Sequence, residues 1–89
     1  MSKNNYEGIH YYVVNQVRYH AHSLMRHSTI HGVEAEDLEQ ELILEYLSHK
    51  QAYDPEKAKC STFVDRVLSH KCASLIEAAR AQKARFRSL

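Results

Sequence analysis

Apolar side chains return every three to four positions along most of this chain, the spacing that lines them up on one face of an α-helix. Ile9, Tyr12, Val13, Val17, Ala21, Leu24 and Met25 predict a first helix over about residues 5–28. Gly32, after Ser28-Thr29-Ile30-His31, supplies a left-handed stop for it. Leu38, Leu42 and Tyr46, widened by Ile43 and Leu47, predict a second helix over about residues 34–50. Phe63, Val64, Val67, Leu68, Cys72, Leu75, Ile76 and Ala79 predict a third over about residues 62–86. Its stripe fades after Ala79, so its last turns are expected to project from the body. Residues 1–4 are polar and are expected to fray. In the connection over residues 51–60, Asp54 before Pro55 signals a capped turn and predicts one turn of helix near 55–58. Ser61 or Thr62 is expected to cap the third helix, because Thr62-x-x-Asp65 has the form of a capping box. The reading is an all-α, compact three-helix protein forming a single domain over residues 1–89.

Composition agrees with this picture. A chain of 89 residues is long enough for one domain and too short for two. At 44% apolar residues it is too hydrophobic for a disordered polypeptide. The six tyrosines fall mostly at stripe positions and read as core. The N-terminus lacks the apolar segment of a secretory signal, and no apolar run approaches the roughly 20 residues of a membrane span. A cytoplasmic protein with reduced thiols is expected, with Cys72 on the core side of a helix and Cys60 in the connection.

Charge separates along the chain. Glu34, Glu36, Asp37, Glu39, Glu41 and Glu45 form an acidic block, and Arg80, Lys83, Arg85 and Arg87 form a basic tail. Two solvated helical faces would produce the same runs. The second helix is more specific than that. At about 100° per residue, Asp37, Gln40, Glu41 and Leu44 share the face opposite its apolar stripe. A solvated face usually mixes Glu with Lys at i,i+4. This one holds acid without base, the pattern of a surface that meets something basic. No enzyme is expected: no glycine-rich elbow or phosphate loop accompanies the Ser, His and acidic residues. The seven histidines include the pairs His27/His31 and His20/His22. No carboxylate or cysteine stands at ligand spacing beside His27/His31, so neither a metal nor a cofactor is predicted.

Three landmarks then occur in order: Ala35-Glu36-Asp37-Leu38-Glu39-Gln40-Glu41, next Tyr53-Asp54-Pro55-Glu56-Lys57, and last Cys60-Ser61-Thr62-Phe63-Val64-Asp65-Arg66-Val67-Leu68, with Arg80 beyond. Over about residues 33–87 the chain resembles region 2 of bacterial RNA polymerase sigma factors of the sigma-70 type. The resemblance implies that the acidic helix docks on the clamp helices of the polymerase β′ subunit. It also implies that the third helix and the loop before it contact the −10 promoter element and hold the melted strand. On the first surface it points to Asp37, Gln40, Glu41 and Leu44, with Leu47 at the margin. Two carboxylates can take bidentate arginine bonds there and an amide can both donate and accept. On the second it points to Tyr53, Lys57, Lys59, Phe63, Arg66, His70, Lys71 and Arg80, the aromatic and cationic residues that hold a single strand. Phe63 reads equally as plain core. The sequence departs from the family in having no Trp, with Phe63 and His70 where Trp and Asn are common. The 89 residues do not include the region 4 domain that reads the −35 element, as expected of a fragment, of a stand-alone region 2 protein of a phage or mobile element, or of a relative that kept only the polymerase-binding surface.

The expected function is therefore support of transcription initiation through core polymerase and −10 DNA. The alternative is a polymerase-binding or other protein-interaction regulator that has this fold and does not read DNA. An anti-sigma protein, or a second protein supplying −35 recognition, is a further partner the resemblance allows.

Overall fold

A computed structural model of the protein describes residue 6 and residues 8–87, with side chains through residue 85. The expected fraying of residues 1–4 lies outside the described residues, whereas the first helix, expected from about residue 5, starts only at Tyr11, residue 6 and residues 8–10 being non-helical. Three α-helices follow in order: α1 (Tyr11–Met25), α2 (Ala35–His49) and α3 (Cys60–Arg87), with a short 3-10 turn (Lys50–Ala52) closing α2. The expected all-α, three-helix fold is what the chain adopts.

The boundaries follow from local capping. Gly8 takes a φ of 83°, and the His10 Nδ1 then accepts the Tyr12 N–H at 3.0 Å, so α1 starts after His10. α1 ends at Met25, earlier than the apolar rhythm suggests, as His27 N–H bonds the Leu24 carbonyl at 2.9 Å in a tighter turn. Gly32, at φ 72°, bends the loop toward α2 and does not terminate α1 as expected. Asp54 behaves as its position before Pro55 suggests. Its Oδ1 accepts the Glu56 N–H at 2.9 Å, and its carbonyl accepts Lys57 N–H at 3.1 Å and Ala58 N–H at 3.3 Å. The third helix starts earlier than residue 62. The Phe63 N–H already bonds the Lys59 carbonyl at 3.0 Å, which makes Cys60 the first helical residue. Ser61 and Thr62 therefore lie inside the first turn and neither is the cap, and Cys60 is not in the connection.

Each helix packs on both of the others. Val13, Val17, Ala21 and Leu24 of α1, Leu38, Leu42 and Ile43 of α2, and Val64 and Leu68 of α3 form one buried cluster. Tyr6, Tyr12, Tyr46, Phe63, Cys72, Leu75 and Ile76 close its edges. Tyr11 and Tyr19 do not belong to it: they point outward from α1, which corrects the reading of the tyrosines as core. α3 is about 42 Å long, against a longest molecular dimension of 49 Å. Its residues 80–85 are all exposed.

Candidate functional site

The outer face of α2 emerges from the helical phase of its core residues. Leu38 and Leu42 turn inward, so Asp37, Gln40, Glu41 and Leu44 are carried to the surface, and all four are exposed. Leu44 is 55% and Leu47 43% exposed. Two leucines left in water beside acidic groups form the mixed apolar and anionic edge that a cationic rod with an apolar seam would cover.

Part of this acid is already engaged. Lys71 Nζ of α3 lies 3.5 Å from Glu41 Oε2 and 3.9 Å from Glu45 Oε2, while Glu45 Oε1 meets His49 Nε2 at 2.9 Å. Asp37 and Gln40 are in none of these ion pairs. Lys71, assigned from sequence to the nucleic-acid side, thus sits against α2.

Glu39 points the opposite way. It is buried, its Oε1 accepts the Tyr6 hydroxyl at 2.5 Å, and Arg18 Nε stands 3.8 Å from the same oxygen. The Arg18 guanidinium also lies 5.6 Å over the Tyr6 ring. This small network ties the segment before α1 to α2. The signal for it was present in the sequence, since Glu39 falls between Leu42 and Ile43 on the same arc of the helix.

The other sequence-selected residues divide into two groups. Tyr53 and Phe63 are half-buried and lie ring to ring, centroids 4.9 Å apart at 46°, and the Tyr53 hydroxyl donates to the Ala58 carbonyl at 3.0 Å. They brace the connection against the start of α3. Lys57 and Lys59 are exposed on that connection, and Arg66, His70 and Arg80 are exposed on α3. At about 100° per residue the last three fall within roughly 80° of arc, so they share one outward face, with exposed Glu77 among them. Among the described residues, no three His, Cys, Asp or Glu side chains come together where they could hold a metal. No helix among the described residues is long and apolar enough to cross a membrane.

The three-helix domain thus carries an acidic, leucine-edged ridge on α2 and a mixed-charge outward face on α3. The chain belongs to the sigma-70 region 2 family, whose model matches residues 13–83. That family consists of non-enzymatic domains of transcription initiation, which bind RNA polymerase and act in promoter melting. No curated protein and no solved structure matches the chain.

Proposed function

We propose that the chain docks on the β′ clamp helices of core RNA polymerase through Asp37, Gln40, Glu41, Leu44 and Leu47. In the same reading it contacts −10 promoter DNA through Tyr53, Lys57, Lys59, Phe63, Arg66, His70 and Arg80, with Lys71 at the seam between the two surfaces. The observation that carries this reading is the α2 ridge: acid and exposed leucine on one solvent-facing arc, in a member of the region 2 family. Such a protein works in the cytoplasm, where polymerase is.

The second reading, a polymerase-binding regulator that does not read DNA, draws support from one feature. Tyr53 and Phe63 face each other, and Lys71 is paired with α2, so three of the candidates for strand binding have internal partners.

One pair of variants separates the two. Asp37→Lys with Glu41→Lys is expected to abolish capture of core polymerase and of the isolated β′ clamp fragment. Arg66→Ala with Arg80→Ala is expected to keep that capture and to lose promoter opening. Opening that survives the second change, with capture lost in the first, would establish the regulator instead. Capture that survives the charge reversal would remove the docking assignment.

A further inference from the structure

The outer face of α1 carries aromatic and basic side chains without acid. At about 100° per residue, Tyr11, Asn15, Tyr19, His22 and Arg26 form a stripe on the side away from Val13, Val17 and Leu24. All five are exposed, Tyr11 by 75% and Tyr19 by 64%. From residue 8 to residue 33 the chain has no Asp or Glu. The carboxylates that approach α1 from its neighbours sit on its flanks: Glu39 against Arg18, and Asp65 against His20 at 3.6 Å. Among the described residues, His22 and Arg26 have no carboxylate partner.

We propose that this stripe binds single-stranded DNA, with the two tyrosine rings stacking on bases and Arg26 holding phosphate. Charge complementarity favours an anionic occupant, since the stripe holds the Arg26 guanidinium and no carboxylate. Exposed rings add the sequence-tolerant stacking by which single strands are held. Asn15 and His22 separate the rings, so the stripe lacks the contiguous apolar patch that a partner helix would cover. Tyr11 and Tyr19 are about 12 Å apart along the axis, room for about three nucleotides at stacked spacing.

The stripe stands apart from the α3 surface: beyond Tyr19, whose ring meets His20 edge-on at 5.4 Å, the exposed carboxylate of Asp65 lies 3.6 Å from His20 and separates the two faces. The inference goes beyond the α3 contact and rests on the promoter reading only for the choice of DNA as occupant.

The test is fluorescence anisotropy of a labelled oligothymidine strand with the full chain. Tyr11→Ala with Tyr19→Ala is expected to weaken binding about tenfold or more, while Tyr11→Phe with Tyr19→Phe keeps it. Arg26→Glu is expected to weaken binding and flatten its dependence on salt. Circular dichroism melting of every variant should match the parent, because these side chains are exposed. Wild-type affinity in the alanine pair, with binding lost in Arg66→Ala/Arg80→Ala, would overturn the α1 site and leave the α3 one standing. Loss of core polymerase capture in the alanine pair without loss of strand binding would also overturn it, by making the stripe a protein contact. Affinity lost in the alanine pair and kept in the α3 variant would support the α1 site while removing α3 from the strand.

Discussion

Glu39 shows how one side chain in an acidic run can serve structure alone. A carboxylate at 3% exposure needs partners inside the protein, and its Oε1 accepts the Tyr6 hydroxyl and has the Arg18 guanidinium nearby as counter-charge. Glu39→Ala is expected to destabilise the fold by about 1–3 kcal/mol, because it leaves a half-buried hydroxyl without its acceptor. Glu39→Gln should cost less, since its amide oxygen still accepts; urea unfolding midpoints would show the order. The two cysteines differ for a similar reason. Burial pushes the Cys72 thiol up to about 11, whereas Cys60 is exposed on the first turn of α3. Iodoacetamide followed by mass spectrometry should therefore find Cys60 modified well before Cys72. The raised Cys72 value also sets a sign for stability. The folded state favours the neutral thiol, so its contribution is complete below the ordinary value of 9.0 and is lost as pH climbs toward about 11. Tyr46, its hydroxyl raised by burial and secondarily by Cys60, acts in the same direction. The melting temperature should fall across that alkaline window, and less steeply in Cys72→Ala.

At the scale of the element, α2 is a helix with two unlike faces. Its inner face supplies Leu42, fully enclosed by the other helices. Leu42→Ala is expected to cost about 2–5 kcal/mol in urea unfolding. Its outer face is partly neutralised by Lys71, which docking on a basic rod would have to displace. An exposed ion pair of this kind is worth about 0.2–1 kcal/mol. Lys71→Met should therefore strengthen binding to the β′ clamp fragment by about two- to fivefold, with little loss of stability. A titration that shows weaker binding would mean that Lys71 holds the ridge in its docking geometry and does not compete for it.

For the whole molecule, three mutually packed helices hold opposite charges on different sides. The acidic ridge lies on the outer face of α2, Arg66, His70 and Arg80 lie on an outward face of α3, and the aromatic stripe lies on the outer face of α1. The core does not extend under all of α3. Leu75, Ala78 and Ala79 line a groove of about 460 Å³ with Ile30, Val33 and Leu38, Gln82 and Lys83 reach its rim, and residues 80–85 are all exposed. Native-state hydrogen exchange should find the amides around Val64 and Leu68 protected and those after Arg80 exchanging fast. Slow exchange at the end of α3 in the isolated protein would indicate packing in solution that the described contacts do not supply.

By itself the sequence was sufficient for the three helices, the core stripes and the α2 ridge, because a 3.6-residue period converts position directly into facing. Family membership was legible too, in three landmarks held in order along the chain. The ends of the helices were less so, since the His10 ring and the Lys59 carbonyl set them through hydrogen bonds that no apolar rhythm records. The roles of Lys71, Tyr11 and Tyr19 were decided only in the tertiary structure. A side chain's partner depends on which helix lies beside it, and a bundle of three covers only one arc of each. Lys71 falls on the arc that meets α2 and becomes an internal counter-ion. The two tyrosines fall on the arc of α1 that neither neighbour reaches and stay in water.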